Sequence, residues 1–423
     1  MASRSPIAAR PASEAAGRDP DPPLVESSPM RFRIAAFVLH VVAFAPLTCQ
    51  ALLRPTSWPG PNDFTKHATI VVDLTFVHPP NPGPPYFIWH LLVKLVDPVA
   101  PGGRLHAAVV VTLAFAGLTG VVWFEVLRMR GPSGFRLSPR LALVGSLLLV
   151  CMETPAVLGG WERLRTQVFV PLYAYHNGSG LAVRPFAALT VWFLTAACTA
   201  APGSRRRRTA VRLLPVVVLL TTFTRPSLLP PLIPATLLIG WWWARESGRS
   251  WWAVVGPFVR RALGPVVVLL AFQYVTMASV IPEEYRISTV IRPFDNVIRF
   301  GAYRPTFWLV VLLPAAALLT WRRRLLADPH LQLLLVAAAI GVASLCVLSS
   351  SAPDRTGPEA LWFVVTPMQL IVLFGARRVA ELVATDWRPA DRFGARCTAA
   401  VAALFVVSFA AFTSCQLGGP CLT

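Results

Sequence analysis

The chain has 423 residues, 55% of them hydrophobic and only 14% charged, with a mean hydropathy of +0.58 and a net charge of +19. That balance excludes a soluble globular domain, and its repeated apolar runs of roughly 17–25 residues match what a bilayer core demands of a helix. Spanning segments must satisfy their own backbone groups, and the runs are continuous rather than alternating. The expected class is therefore all-α, a polytopic integral membrane protein.

In chain order, residues 1–30 are rich in Ala, Pro and Ser without an apolar run, and read as a disordered tail. A polytopic domain follows over 31–423. Eleven spans are expected, at 34–53, 104–127, 140–158, 185–201, 211–223, 228–244, 260–281, 305–321, 329–349, 360–376 and 396–415. The first is too long for a signal-peptide core and lacks a small-residue cleavage site, so it reads as a retained helix. Five of the seven cysteines lie in or beside these runs and read as packing residues.

Arginine gathers in alternate loops: Arg128/Arg130/Arg136/Arg140, the run Arg205–Arg208 with Arg212, Arg245/Arg249/Arg260/Arg261, Arg322–Arg324, and Arg377/Arg378/Arg388/Arg392/Arg396. Together with the tail and with Arg31 and Arg33 ahead of the first span, these loops hold 26 of the 39 Lys and Arg residues. A basic charge distributed in this way is a topology signal rather than a nucleic-acid surface. It places the N-terminus in the cytoplasm and the C-terminus outside. Segment 86–97 is too short to cross, and a crossing there would invert every later loop. It reads as a juxtamembrane or re-entrant helix within a first outer loop covering 54–103. With two lysines against 37 arginines, the composition points to a GC-rich bacterial genome and so to a plasma membrane.

Polar residues that interrupt this pattern are the candidates for function. In the first outer loop, Pro55, Pro59 and Pro61 lead into Asn62-Asp63, a helix-capping pair. A helix from there to about Leu74 would put Asp63 and His67 on one face, with Asp73 near its other end. A carboxylate facing the membrane surface could act as a general base on a hydroxyl, help worth about 10²–10⁴ in rate. The plainer alternative is that Asp63 only caps the helix. A divalent metal held by Asp63 and His67 is also open, though two ligands do not define a site. The loop 159–184 carries Tyr173, Tyr175, His176 and Asn177, a mixture suited to a sugar or headgroup pocket or to an interfacial belt.

Thr224-Arg225-Pro226-Ser227 forms a tight hairpin between two spans. An arginine at membrane depth needs a partner or a task, and the planar fork of Arg225 suits a lipid phosphate. Snorkelling to headgroups is the alternative. Loop 282–304 adds Arg292 and Arg299 as further phosphate contacts, or as part of a solvated mixed-charge loop. Glu125 is expected to pair within the bundle. Signatures of soluble enzymes are absent: the sequence has no Walker lysine, no His-Glu-x-x-His and no Gly-x-Ser-x-Gly.

Three segments, Asp63-Phe64-Thr65-Lys66-His67, His176-Asn177 with Arg184-Pro185-Phe186, and Arg225-Pro226-Ser227, stand in this order over 34–244. In that order the chain resembles GT-C-type glycosyltransferases. It is more closely similar to a bacterial polytopic group with Asp-Phe-x-x-His, His-Asn, Lys/Arg-Pro-Phe and Lys/Arg-Pro-Ser segments. One departure is that Gly178 and Ser179 stand where that group tends to have Pro and Thr. The resemblance implies a catalytic acid residue in the first outer loop, mapped here onto Asp63, and a polyprenyl-phosphate-linked sugar donor. It implies a glycan or lipid-linked acceptor on the outer face. A transporter or flippase of lipid-linked glycan, and an O-antigen polymerase or ligase, are the rival expectations. The expected partners are the sugar donor, the acceptor and membrane lipids, with no nucleic acid.

Overall fold

The computed structural model describes residues 29–53, 88–131, 133–150, 178–280, 289–296, 298, 311–350 and 361–416. The helices are α1 (Met30–Leu53), α2 (Ile88–Val96), α3 (Arg104–Leu127), α4 (Pro139–Val150), α5 (Gly178–Thr199), α6 (Arg205–Thr224) and α7 (Leu229–Ser247). They continue with α8 (Trp251–Phe258), α9 (Gly264–Val280), α10 (Leu312–Leu325), α11 (Pro329–Val347), α12 (Leu361–Thr385) and α13 (Asp391–Gln416). A π-turn over Val259–Leu263 joins α8 to α9. Six helical stretches among the described residues are long and apolar enough to cross a membrane: Arg104–Leu127, Gly180–Thr199, Pro226–Ser247, Trp251–Phe272, Pro329–Val347 and Phe363–Thr385. The chain is an all-α, multi-pass membrane protein.

Each of the eleven expected segments falls at least partly on a helix, and the expected juxtamembrane segment forms α2. Several details depart from the sequence reading: α5 begins at Gly178, inside the expected loop 159–184, and Arg260, Arg261, Arg322–Arg324, Arg377 and Arg378 lie on helical turns rather than in loops. The run Arg205–Arg208 belongs to the first turns of α6 rather than to a loop. Gly203 turns the chain at φ +77°, and the Ser204 hydroxyl then accepts the Arg207 N–H at 3.1 Å, so the helix starts ahead of the apolar residues. A further departure is a small antiparallel ribbon, β1 (Thr289–Ile291) with β2 (Leu348–Ser350), pairing Val290 with Ser349. Ser349 Oγ donates to Asp295 Oδ2 at 2.5 Å, which fastens residues of the expected solvated loop to the end of α11.

The helices sort by burial. α5 is central, with 89% of its apolar window buried, against 44% for α11. α5 packs on α3 and α6, α1 lies along α3, α11 lies against α12, and α10 lies against α13. Small residues permit the closest approaches. A Cβ on Gly341 would strike the Phe363 carbonyl and its peptide unit on α12, and one on Gly120 would strike the His40 ring and the Ala36 carbonyl on α1.

Long-range polar contacts show that the arginine-bearing segments meet at one end of the bundle. Arg33 on α1 donates to Glu125 at the end of α3 at 2.7 Å, the internal pairing expected of that carboxylate. Ser133 Oγ donates to Glu381 on α12 at 2.6 Å. Arg207 donates to the carbonyls of Ala197 (3.1 Å) and Ala253 (2.5 Å), and Arg249 to those of Cys198 (3.3 Å) and Ala253 (2.9 Å). Cations thus satisfy the orphan carbonyls at the end of α5, where the helix dipole is negative. The opposite end carries α2, the turn Pro226–Leu228 and the ribbon, and there Ser227 meets Thr366 at 3.2 Å between hydroxyls.

Backbone contact at Gly341 has a testable consequence. Gly341→Ala forces α11 and α12 apart and should cost about 1–3 kcal/mol. Gly375→Ala on the same helix pair, where a Cβ would meet only Leu331 at 4.0 Å, should be neutral or mildly stabilising. Thermal unfolding of the two variants in detergent makes the comparison.

Candidate functional site

α5 and α6 run antiparallel, with the Thr190 and Thr221 hydroxyls 2.8 Å apart across their contact. Arg184 precedes Thr190 by six residues and Arg225 follows Thr221 by four. At 1.5 Å rise per residue the two lie about 9 and 6 Å beyond that bond, toward the same end of the pair. Both are buried, with 2% and 4% exposure. Both are engaged by other groups of the chain. The two residues therefore sit inside the bundle at similar depth, at the end opposite the arginine-bearing segments.

Local sequence explains each position. A residue before proline is pushed out of the helical region, so Arg225, preceding Pro226, adopts an extended backbone (φ −168°, ψ 121°) and ends α6. Its N–H still donates to Thr221 O at 2.8 Å, which fixes it to the last turn. Pro226 then opens the 3-10 turn Pro226–Leu228 that leads into α7. Arg184 lies within α5 ahead of Pro185, a helix interior proline that lacks the N–H to bond the carbonyl one turn back.

Other polar groups close on the same region. α2 packs against α3, α5 and α6, and its inner face buries Trp89, His90 and Val93. Trp89 Nε1 donates to Thr112 Oγ1 on α3 at 3.1 Å, and its ring meets His90 edge-on at 5.1 Å. α12 packs against the Pro226–Leu228 turn and α5, and carries buried Thr366 and Gln369. The surroundings of the two arginines are thus rich in hydroxyl, amide and imidazole groups within an otherwise apolar bundle.

Of the residues singled out in the sequence, Arg225 is buried as described, while Arg292 is exposed beside the ribbon, its N–H bonded to Val347 O at 3.0 Å. Asp63, His67, Asp73, His176, Asn177 and Arg299 lie outside the described residues. Sequence reasoning missed Thr366, Gln369 and His90, and gave Ser227 and Arg184 no role beyond their motifs. Gln369 did carry a signal, as a lone amide in the run Val364–Phe374. Among the described residues no cluster of three or more His, Cys, Asp or Glu side chains could hold a metal.

A second buried centre lies at the arginine end. Asp328 caps α11, accepting from the N–H groups of His330 (2.9 Å) and Leu331 (3.4 Å) and from the His330 ring (3.0 Å). Arg377 on α12 donates to its other oxygen. Those bonds use the acceptor capacity of a carboxylate, which makes Asp328 a clasp between two helices. Burial pushes its carboxyl upward, but the His330 ring and the Arg377 guanidinium outweigh burial and hold it below the ordinary carboxylate range. Arg324, bonded to Asp391 at 2.5 Å, lowers the Asp391 carboxyl in the same way.

No protein-family model matches the chain, and no curated protein matches it either.

Both carboxyls are lowered in the folded state, so the stability they contribute is present above about pH 4 and lost as pH falls further. Melting temperature in detergent should therefore drop below about pH 4. Asp328→Asn, which leaves Arg377 buried beside a neutral group, should cost about 3–5 kcal/mol at pH 7 and flatten that acid limb.

Proposed function

We propose that this chain is a GT-C-like membrane glycosyltransferase moving a sugar from a polyprenyl-phosphate donor to an envelope or lipid-linked acceptor on the outer face. The supporting observation is the pair of buried arginines, Arg184 and Arg225, at the end of the bundle away from the arginine-bearing segments. By the positive-inside rule that end faces outward, with the N-terminus in the cytoplasm and eleven crossings of a plasma membrane. Cations at membrane depth are costly, and a guanidinium offers five N–H donors in a fork matched to phosphate oxygens. Hydroxyls of Thr221, Thr224, Ser227 and Thr366, with the Gln369 amide, are groups of the kind that orient a polar substrate.

In this reading Asp63 takes the proton from an acceptor hydroxyl, assisted by His67 or Asp73. The acceptor oxygen bonds to the anomeric carbon as the bond from that carbon to the donor phosphate breaks. The electron pair departs with polyprenyl phosphate, whose growing charge is stabilised by Arg225 and Arg184. His176 and Asn177 contact the sugar, and Arg292 and Arg299 supply further phosphate contacts from their loop. The motif order Asp-Phe-x-x-His, His-Asn with Arg-Pro-Phe, and Arg-Pro-Ser supports the assignment.

The test compares lipid-linked and envelope glycans by mass spectrometry in a deletion strain complemented with wild type, Asp63→Asn or Arg225→Gln at equal protein level. The deletion should lose a sugar that wild type restores and Asp63→Asn does not. Arg225→Gln should lower transfer by about 10²–10³, the usual cost of removing one transition-state donor. Full restoration by Asp63→Asn alongside failure of Arg225→Gln would instead indicate translocation of a lipid-linked glycan.

A further inference from the structure

The arginines at the basic end fall into two kinds. Arg207, Arg249, Arg324 and Arg377 are bonded to carbonyls or carboxylates of neighbouring helices, and Arg378 to Glu381 on its own helix and to the Arg324 carbonyl. Arg322 and Arg323, beside Arg324 in the last turn of α10, are exposed, and among the described residues their guanidiniums form no ion pair. Both line an open cleft of about 700 Å³ between α7, the end of α10 and the start of α11.

The cleft is graded in polarity. Its inner wall is apolar, formed by Ile239 of α7 and Leu335 and Val336 of α11, while Arg322 and Arg323 stand at its mouth. Leu335 lies six residues into α11, so the apolar wall begins about 9 Å from the start of that helix, within the span. Trp242, 49% exposed, borders the mouth with its Nε1 held by Glu246 at 2.6 Å. An indole with one polar edge favours the membrane–water boundary. The floor is tied together by Gln332, which accepts from Trp243 Nε1 at 2.6 Å and donates to Leu326 O at 2.8 Å.

We propose that this cleft is a binding site for an anionic phospholipid, with the phosphate between Arg322 and Arg323 and an acyl chain along Ile239, Leu335 and Val336. Charge at the mouth selects a phosphate carrying net negative charge, and the apolar wall selects a lipid over a free anion. Glu246 makes the mouth less basic, but two cations against one carboxylate leave it positive. This site lies at the end opposite Arg184 and Arg225 and does not rest on the glycosyltransferase reading.

Full-length protein in detergent is titrated with phosphatidylglycerol, phosphatidylcholine or inorganic phosphate, and adducts are counted by native mass spectrometry. Arg322→Gln/Arg323→Gln should weaken phosphatidylglycerol binding roughly tenfold. Arg392→Gln/Arg396→Gln, which removes the same charge from exposed positions on α13, should leave it unchanged. Val336→Trp, which fills the cleft at constant charge, should weaken it as the first pair does. Equal binding by wild type and the Arg322/Arg323 variant would overturn the proposal. So would phosphatidylcholine binding as tightly as phosphatidylglycerol, or inorganic phosphate displacing the lipid.

Discussion

A guanidinium inside an apolar bundle is costly unless other groups engage it, and the positions of this chain's 37 arginines organise the rest of the structure. At one end they serve as helix-terminus donors. Arg207 and Arg249 reach the last carbonyls of α5, and the contact fixes where α6 and α8 start and α7 ends relative to it. Arg377 reaches the carboxylate that caps α11, while Arg324 joins the end of α10 to Asp386 ahead of α13 and to Asp391 at its first position. Charges that would be unfavourable at helix N-termini are thereby moved onto the negative ends of neighbours.

With the arginine-bearing segments fastened at one end, the buried cations at the other stand out chemically. Arg184 and Arg225 occupy adjacent antiparallel helices, each next to a proline that interrupts regular helical bonding. Pro226 both turns Arg225 out of the helix and begins the hairpin into α7, so one dipeptide sets the backbone and the placement of the charge. α2, lying across α3, α5 and α6 with His90 on its buried face, adds a cover over the same region. In the proposed reading, a ligand with a phosphate and a polar head approaches this region from the membrane boundary.

Much of the architecture was legible in the sequence because bilayer physics leaves few options for long apolar runs. The span 104–127 coincides with α3, and the segment 86–97, read as too short to cross, contains the nine-residue α2. The alternation of arginine-bearing segments anticipated which loops would meet. What escaped was local or long-range in origin. The Arg205–Arg208 run looked like a loop because its charge conceals a helix that starts at the Ser204 cap. The ribbon of three-residue strands is too short to show alternation. Arg225 was legible from its depth and its proline. The approach of Thr366, Gln369 and His90 depends on packing between helices far apart in the chain, which no local pattern encodes.

The central claim is that Arg184 and Arg225 together receive a lipid phosphate at the end away from the arginine-bearing segments. A cryo-electron microscopy structure in nanodiscs with polyprenyl monophosphate tests it directly. The account predicts phosphate density within about 3 Å of both guanidiniums, with the isoprenoid chain leaving between helices toward lipid. Phosphate density found only at the arginine end, with Arg184 and Arg225 unchanged and unliganded, would contradict it.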